Sequence, residues 1–236
     1  MDLKNKTIIL TGAARIGQSI AKTLNGRGAQ LVITYLSSAD EAGPFGLAIQ
    51  ADVSKREDVE RVVNTAVEKF GSVDCLIHMA AIYQESPWDT LDEKSWDKNM
   101  NIIAKSAFLF GKILGDQMQR NQGEVKGKII FFSDWSVLSR PYTGYLPYNV
   151  AKSAVVGLTK SLAKELSPHI LVNAIAPGPI LRPPNLTEEE NNEVLAGTLL
   201  KKWGGAEEIT KGVLYLLEAD FITGHILTID GGRTIA

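Results

Sequence analysis

The fold is decided by the stretch Gly144-Tyr-Leu-Pro-Tyr-Asn-Val-Ala-Lys-Ser-Ala-Val-Val-Gly-Leu-Thr-Lys-Ser-Leu-Ala-Lys-Glu-Leu166. Pro147 stands where a helix can begin, because its fixed φ suits a first turn and its missing N–H costs nothing there. Apolar residues then recur at helical spacing, namely Val155, Leu158, Leu162 and Leu166. We therefore expect a helix that carries Tyr148 and Lys152, four residues apart, on one face.

The pairing of Tyr148 with Lys152 suggests acid–base chemistry. A free tyrosine hydroxyl has a pKa of about 10 and exchanges protons poorly at neutral pH. A nearby ammonium group favours the phenolate and lowers that pKa toward the working range. A Tyr-x-x-x-Lys pattern is also common on ordinary surface helices, so the rest of the chain has to decide between the two interpretations.

Length and composition narrow the class of protein. The 236 residues suffice for one α/β domain with a substantial core, so we expect a single domain over residues 1–236. The net charge of −2 without a basic block argues against a nucleic-acid partner. The single cysteine, Cys75, excludes an intramolecular disulfide and a cysteine metal cluster, and we expect no metal.

No stretch of the sequence has the pattern of a membrane anchor. The residues from Met1 to Leu10 hold only a brief apolar run, which does not match a signal peptide. The longest apolar reach, residues 170–181, is short for a bilayer span and is broken by Asn173, Pro177 and Pro179. These features predict a soluble cytoplasmic protein without a membrane partner.

Strands and helices alternate along the whole chain. The strands are nearly continuous apolar runs, which is typical of a parallel sheet covered by helices on both faces. We predict strands over 6–10, 31–35, 47–50, 73–79, 128–132, 170–175 and 226–229, and helices over 18–27, 54–70, 92–119, 147–166 and 206–218. Ser54 is expected as a helix N-cap, and Trp96, Met100, Ile103, Ala107, Phe108 and Leu114 as inward positions of the long helix.

Two connections are less regular. The connection from Tyr35 to Leu47 is too short for a crossover helix with loops, so it is either trimmed to a loop or incompletely represented. Residues 185–200 form a polar, Glu-rich segment that we expect to be mobile.

Residues suited to ligand binding follow several of these strands. Thr11-Gly-Ala-Ala-Arg-Ile-Gly17 comes directly after the first strand, and such a turn lets backbone N–H groups and a helix N-terminus receive a pyrophosphate. Ser133-Asp134 and Pro177-Gly178 follow two later strands. Because ligands of parallel sheets bind beyond the carboxyl ends of the strands, we expect these groups to share one site.

With these motifs in order, the chain resembles the short-chain dehydrogenase/reductase family over essentially its whole length. The markers are Thr11-Gly12 with Gly17, Asp52-Val53, Asn101, Tyr148 with Lys152, Asn173-Ala-Ile-Ala-Pro177-Gly178, Thr223-Gly224 and Asp230-Gly-Gly232. The resemblance implies a single Rossmann-like, doubly wound parallel sheet with helices on both faces. It also implies hydride transfer between a nicotinamide and a C=N or C=O bond.

Within the family the chain looks most like the pteridine reductase branch. The features that point there are Thr11-Gly-Ala-Ala-Arg15, Ser133-Asp134 where most members have Ser-Ser, Pro177-Gly-Pro-Ile-Leu181 and the ending Ile229-Asp-Gly-Gly-Arg233. This branch implies an NADPH-dependent reductase of a pterin of the dihydropteridine or dihydrofolate type.

The resemblance also implies roles for individual residues. Tyr148 donates the proton, and Lys152 lowers its pKa while binding the nicotinamide ribose. Asn101 holds a water that resupplies the proton. Asp134 takes the place of the usual catalytic serine once a one-residue insertion is allowed, and Ser136 is the alternative.

The chain departs from the family pattern at two places. Its glycine loop is one residue shorter than usual, with Arg15 near the middle glycine's place. His78-Met-Ala-Ala81 replaces the usual Asn-Asn-Ala-Gly after the fourth strand, and we interpret His78 as a core or loop residue rather than a catalytic base.

For the cofactor we favour NADP(H). An acidic residue at the end of the second strand would bind the ribose hydroxyls of NAD, but this chain has Tyr35-Leu-Ser-Ser38 there, with Arg15 in the neighbouring loop. Hydroxyl and guanidinium donors suit a 2′-phosphate. The predicted cofactor-binding residues are Thr11, Gly12, Arg15, Ile16, Gly17, Tyr35, Ser37, Ser38, Asp52, Val53, Ala80, Lys152, Pro177, Gly178 and Ile180.

Three functions stay open at this point. The first is pterin reduction, the second is reduction of a carbonyl such as a 3-oxoacyl thioester, and the third is a catalytically weak NADP-binding sensor or scaffold. The substrate would be set by a loop at about residues 180–204 and by Tyr83, Trp88 and Trp135, whose rings could stack on a flat ligand. The family is usually tetrameric, so the resemblance implies a homotetramer.

Overall fold

The computed structural model describes residues 2–236 and contains one seven-stranded parallel sheet in the order β3-β2-β1-β4-β5-β6-β7. This order, with helices around the sheet, is the Rossmann-like arrangement, and the predicted fold class is confirmed. The strands are β1 Thr7–Thr11, β2 Gln30–Tyr35, β3 Leu47–Gln50, β4 Cys75–His78, β5 Gly127–Phe132, β6 Ile170–Pro177 and β7 Ile226–Ile229.

Helices cover both faces of the sheet because the central strands are apolar on both sides. The helices are α1 Ile16–Gly26, α2 Arg56–Phe70, α3 Glu93–Asn99, α4 Ser106–Met118, α5 Leu146–Leu166, α6 Glu188–Ala196 and α7 Ala206–Glu218. Helices α2, α4 and α5 pack on one face, whose strand residues include Phe131. Helices α1 and α7 pack on the other face, whose strand residues include Phe132.

The short connection between β2 and β3 is a genuine loop. It holds two single-turn 3₁₀ segments, Ala39–Glu41 and Gly43–Phe45, and no crossover helix. Strand β3 still pairs parallel with β2, with Val32 opposite Leu47. The alternative left open by the sequence is therefore decided in favour of a trimmed crossover.

The N-terminal boundary of α2 differs from expectation. The helix begins at Arg56, and Lys55 is its N-cap without a side-chain cap. Ser54 is not the cap, because its hydroxyl donates to Oδ1 of Asp52 at 2.6 Å instead. The Ser54 side chain forms this local hydrogen bond in place of a helix cap.

The long helical region between β4 and β5 is interrupted by a π-helical turn, Met100–Lys105, between α3 and α4. A π turn accommodates one extra residue, which rotates all later positions by about 100°. Of the expected inward positions that follow the π turn, Ala107 and Leu114 are buried, whereas Phe108 is 46% exposed, so the prediction is wrong for Phe108. Trp96, also expected inward, lies before the π turn and is 37% exposed.

The segment 185–200 contains the helix α6, which was not predicted. Its N-terminus has a capping box in which Thr187 and Glu190 exchange hydrogen bonds. None of its nine residues is buried. Within residues 2–236, no helix combines the length and apolar character that a membrane span requires.

Candidate active site

Tyr148 and Asp134 meet beyond the carboxyl end of β5. Asp134 follows β5, and Tyr148 lies in the first turns of α5, which packs against the sheet. The Tyr148 hydroxyl donates to Oδ2 of Asp134 at 2.7 Å. Tyr148 is only 6% exposed. The structure thus brings together a phenol and a carboxylate that belong to two different elements of the fold.

Lys152 anchors the same helix to the end of β5. Its Nζ donates to the Phe132 carbonyl at 2.8 Å, and the Ser133 hydroxyl donates to the Lys152 carbonyl at 3.0 Å. The ammonium nitrogen lies 5.7 Å from the centre of the Tyr148 ring. Burial lowers the pKa of Lys152 to about 8, against the opposing effect of the Asp134 charge.

The expected lowering of the Tyr148 pKa by Lys152 is wrong for this structure. Burial and then the charge of Asp134 raise the pKa of Tyr148 well above its ordinary value. Both effects disfavour a phenolate, and the hydrogen bond to Asp134 also holds the proton on the phenol oxygen. Tyr148 is therefore protonated at neutral pH and can act as a proton donor.

Ser136 lies next to this pair but does not join it. Its backbone N–H donates to Oδ1 of Asp134 at 2.8 Å, which caps the 3₁₀ turn Trp135–Leu138. The Ser136 side chain is fully buried, and its hydroxyl has no hydrogen-bond partner within residues 2–236. Of the two candidates for the serine's place, Asp134 is the one that contacts Tyr148.

Asn101 lies in the π-helical turn, which packs against α5. Its side chain is half-buried. The structure thus puts Asn101 on the element beside the Tyr148 helix, and its role in holding a water stays a prediction.

The shortened glycine loop folds tightly against the segment that follows β4. Gly12 has φ +68, and a Cβ there would lie 2.7 Å from the Ala80 nitrogen. A Cβ at Gly17 would lie 3.0 Å from the Gly12 carbonyl oxygen. Gly12 is therefore required for this loop, because both its positive φ and the backbone next to it exclude a side chain, whereas a side chain at Gly17 would make a tight contact. The loop leads into α1, whose first residue is Ile16.

Arg15 has an unusual backbone for a non-glycine residue. Its φ is 56 and its ψ is −101, and it is the N-cap of α1 without a side-chain cap. The side chain is exposed. An exposed guanidinium on the N-cap residue of α1 suits an anionic ligand, because the N-terminus of a helix also favours negative charge.

The residues after β2 are exposed, as a cofactor phosphate would require. Tyr35 ends the strand, and Ser37 and Ser38 are exposed in the loop that follows. The Ser38 hydroxyl accepts from the Asp40 N–H at 3.3 Å and caps the first 3₁₀ turn. No acidic residue stands directly at the end of β2.

Asp52 and Val53 follow β3, which is next to β2. Oδ1 of Asp52 accepts from the N–H of Ser54 at 3.1 Å, so its carboxylate is partly used by its own turn. The Asp52 N–H donates to Asp58 at 2.8 Å, and Val53 is buried. The family resemblance implies that Asp52 contacts the adenine amine of the cofactor, and this contact stays a prediction.

Pro177, Gly178 and Ile180 form the other wall of the site, at the end of β6. The Gly178 N–H donates to the Ile229 carbonyl at 2.9 Å, and a Cβ at Gly178 would lie 2.5 Å from the Cα of Asp230. Ile180 is buried, and its carbonyl accepts from the Gly205 N–H at 2.9 Å. The wall is therefore held by backbone contacts on both sides.

His78 is a core residue at the end of β4, as expected. Its Nδ1 lies 2.8 Å from the Thr11 hydroxyl, and its Nε2 lies 2.8 Å from the Ser106 hydroxyl. Ser106 donates to the Ile102 carbonyl at 2.6 Å, so it accepts from His78, and Nε2 carries the proton. Burial lowers the pKa of His78 to about 3, which keeps the ring neutral.

Thr11 also binds the backbone that follows β4. Its hydroxyl oxygen accepts from the N–H groups of Met79 and Ala80, both at 3.2 Å. The glycine loop and the segment containing Ala80 are thereby tied to each other through one side chain.

Aromatic rings surround Tyr148, and two of them were not predicted. Tyr83, which was predicted, lies with its ring centre 5.1 Å from that of Tyr148 and stacks on Tyr145 at 4.5 Å. Tyr142 accepts from Trp135 Nε1 at 2.7 Å. The spacing Tyr142, Tyr145, Tyr148 is the signal in the sequence that could have revealed the cluster.

The other two predicted stacking residues have different surroundings. Trp135 is 5% exposed and packs under the Arg233 guanidinium, so its expected role in stacking on a ligand is wrong. Trp88 is 78% exposed and borders a surface cavity of about 480 Å³ that Tyr142, Leu146 and Val150 also line. Arg233 was not predicted as a site residue at all.

Comparison with known proteins agrees with this geometry. The chain matches the family model described as enoyl-(acyl carrier protein) reductase over residues 12–234. It is 31% identical to a 3-oxoacyl-[acyl-carrier-protein] reductase of Staphylococcus epidermidis, over 97% of this chain and 98% of that protein. It is 33% identical to a 2-dehydro-3-deoxy-D-gluconate 5-dehydrogenase of Bacillus subtilis, over 98% of this chain and 95% of that protein.

A solved structure gives the same result. A short-chain dehydrogenase/reductase from Serratia marcescens superposes with a TM-score of 0.89 at 32% identity, covering 99% of this chain and all of that one. Fold, site geometry and relatives agree, and the chain belongs to the short-chain dehydrogenase/reductase family of oxidoreductases.

Proposed function

We propose that this protein is an NADPH-dependent reductase that transfers hydride to a C=N bond of a pterin of the dihydropteridine or dihydrofolate type, with Tyr148 as the proton donor. The observation that carries the proposal is the 2.7 Å hydrogen bond from Tyr148 to Asp134. A carboxylate beside the proton donor attracts N–H groups and cationic rings, which a pterin offers, and repels a developing alkoxide.

The residues around the site suit an anionic dinucleotide. The N-terminus of α1, the exposed Arg15 and the exposed hydroxyls of Ser37 and Ser38 form a donor set without an acidic residue at the end of β2. Bound NADPH would supply the hydride. Lys152 would hold the nicotinamide ribose, and Gly178 and Ile180 would border the ring.

The protein's own residues would handle the proton. Tyr148 keeps its proton at neutral pH because burial and Asp134 raise its pKa, and it donates that proton to the substrate. The buried ammonium of Lys152 then offsets the charge of the phenolate left behind. Asp134 orients the substrate's N–H groups and passes protons to Tyr148, and Asn101 holds a water that resupplies them.

A second candidate is the reduction of a 3-oxoacyl thioester. It is favoured by the name of the Staphylococcus epidermidis relative, a 3-oxoacyl-[acyl-carrier-protein] reductase. The Asp134 carboxylate beside Tyr148 weighs against it, because a carbonyl oxygen prefers a hydroxyl donor at that position.

The test follows NADPH oxidation by absorbance with dihydrobiopterin, dihydrofolate and acetoacetyl thioester offered in parallel. We expect turnover of a pterin, and a loss of about 10²–10⁴-fold in kcat with Tyr148→Phe and also with Asp134→Ala. NADPH binding, measured by fluorescence titration, should persist in both variants. Tyr215→Phe, which changes an exposed tyrosine of α7, is the matched control.

Two other outcomes would contradict the proposal. Turnover of the thioester alone would move the assignment to the second candidate. Binding of NADPH without turnover of any compound would favour a sensor or scaffold.

The choice of NADPH over NADH has its own test at Arg15. We expect Arg15→Ala to weaken NADPH binding by about tenfold or more and to leave NADH binding unchanged, because a charge-assisted hydrogen bond to the 2′-phosphate is lost. Arg120→Ala, at an exposed arginine after α4, is the control. Equal weakening of both cofactors, or of neither, would refute a phosphate contact of Arg15.

A further inference from the structure

Helix α6 has no fully buried residue to anchor it to the core. It belongs to the predicted substrate loop, residues 180–204, and none of its residues is buried. Val194 and Leu195 are half-buried, whereas the core helices each bury several residues completely. A helix that buries so little apolar surface depends on polar contacts for its position.

Arg233 supplies such contacts at the C-terminal end of α6. Its Nη1 donates to the Val194 carbonyl at 2.6 Å and to the Thr198 hydroxyl at 3.3 Å. A Cβ at Gly197 would lie 3.0 Å from the same Nη1, so the glycine leaves room for the guanidinium. A cation that binds the last carbonyls of a helix also interacts favourably with the helix dipole.

The same guanidinium rests on Trp135, which directly follows Asp134. The Arg233 guanidinium carbon lies 4.8 Å from the centre of the Trp135 ring. Trp135 donates to Tyr142 at 2.7 Å. Arg233 therefore touches α6 with its N–H edge and the turn that carries Asp134 with its flat face.

Arg233 itself is held rigidly by the turn in which it lies. Asp230 is buried and accepts from the Gly232 N–H at 2.9 Å and from the Thr234 N–H and hydroxyl, both at 2.6 Å. The Ser139 hydroxyl donates to the Thr234 carbonyl at 2.9 Å. The Arg233 guanidinium therefore extends from a rigid turn into the space between α6 and the turn that contains Asp134.

We infer that Arg233 is a positioning residue that fixes α6 against the turn containing Asp134 and so sets the shape of the substrate pocket. This inference rests on the proposed function, because it takes residues 180–204 as the substrate loop. Arg233 does not touch the reacting atoms. Its effect on the reaction is exerted through the position of α6, which predicts a change in substrate KM rather than in cofactor binding.

The first measurement is amide hydrogen exchange in the full-length protein without substrate. We expect Arg233→Ala to speed exchange in residues 188–198 by about tenfold while exchange in β5 and β6 stays unchanged, because two hydrogen bonds from the guanidinium and its ring contact are lost. Arg233→Lys keeps the charge but lacks the planar guanidinium group. The exchange rate of residues 188–198 in this variant should therefore lie between those of the wild type and Arg233→Ala. Arg140→Ala, which removes an exposed arginine bound to the Ala236 carbonyl but not to α6, is the matched control.

The second measurement is steady-state kinetics with the compound that the wild type reduces. We expect Arg233→Ala to raise KM about tenfold with a smaller change in kcat and an unchanged Kd for NADPH, and Arg233→Lys to restore part of the loss.

Unchanged exchange in 188–198, or faster exchange spread equally over the sheet, would overturn the inference. An unchanged KM would overturn it as well. If the wild type reduces none of the compounds, the proposed function fails, and the exchange data still decide whether Arg233 holds α6.

Discussion

At the scale of single residues, the pair formed by Tyr148 and Asp134 determines the pH behaviour of the site. The charge of Asp134 is the second cause, after burial, that raises the pKa of Tyr148. Removing that charge while keeping the shape should let Tyr148 lose its proton at a lower pH than in the wild type. The protonation state of the proton donor is thus set by a neighbour and not by tyrosine alone.

We predict that Asp134→Asn moves the alkaline limb of the kcat profile to lower pH, because the pKa of Tyr148 falls when the neighbouring charge is removed. The measurement is the pH dependence of NADPH oxidation from neutral to strongly alkaline pH. Asp116→Asn, at an exposed carboxylate of α4, should leave the profile unchanged. An alkaline limb that stays in place or moves upward in Asp134→Asn would contradict the assignment of Tyr148 as the acid.

A second prediction concerns stability and His78. The pKa of His78 is about 3 in the folded protein, whereas its ordinary value is 6.5. The stability gained by keeping His78 neutral is therefore fully present above pH 6.5 and is lost as the pH falls toward 3. We expect this effect of His78 to lower the unfolding free energy of the wild type by about 3 kcal/mol when the pH is changed from 7 to 4.5.

The comparison that isolates this effect is His78→Asn, whose side chain does not titrate. The variant should be less stable at pH 7, because ring packing is lost, but its unfolding free energy should decline less over the same pH range. Urea unfolding followed by circular dichroism measures both values. Parallel decline in the two proteins would mean that His78 is not buried in its neutral form.

At the scale of elements, the glycines of neighbouring helices differ in what surrounds them. Gly157 on α5 is exposed, and a Cβ there would have no atom within 4 Å. A Cβ at Gly111 on α4 would lie 2.5 Å from Cδ1 of Leu162 on α5. Gly157 therefore lowers the stability of its helix without improving packing, whereas Gly111 allows α4 and α5 to pack closely.

We therefore predict different effects for the same substitution. Gly157→Ala should raise the unfolding free energy by about 0.5–1 kcal/mol, the usual gain of alanine over glycine inside a helix. Gly111→Ala should raise it by less than Gly157→Ala does, because the same helix gain is offset by the displacement of the Leu162 side chain. Thermal unfolding of the two variants beside the wild type measures both effects, and a loss of stability in Gly157→Ala would reveal a contact beyond those within one chain.

At the scale of the whole molecule, the helices α3, α4 and α5 each expose large apolar residues. Trp96 on α3, Phe108 on α4 and Leu146 and Val150 on α5 are between 37% and 46% exposed. A contiguous exposed apolar patch marks an association surface, and we predict that these residues form one. The family resemblance implies a homotetramer in which these helices pack against other copies.

We predict that Phe108→Glu shifts the protein from a tetramer to smaller species, because a charge would be buried in the association surface. Size-exclusion chromatography with light scattering gives the mass. Leu36→Glu is the matched control, since Leu36 is 60% exposed in the loop after β2, away from α3, α4 and α5. A wild-type protein that is monomeric, or a tetramer that tolerates Phe108→Glu, would refute the predicted arrangement.

The sequence alone determined the order of the seven strands and the identity of the paired residues on α5. Strands such as β1 and β5 are continuous apolar runs, and Tyr148 and Lys152 are joined by helical spacing, so both could be predicted from local patterns. The glycine loop could be predicted for the same reason, since a turn between strand and helix is encoded within a few residues.

Only the tertiary structure decided what each side chain meets. The contact of Tyr148 with Asp134, rather than with Ser136, depends on how the turn after β5 lies against α5. The π turn between α3 and α4 was not predicted, and the contact of Arg233 with α6 joins residues 39 positions apart. Local patterns carry the propensity of a segment, whereas burial, pKa values and contacts between distant segments are set by packing, which exists only in the folded chain.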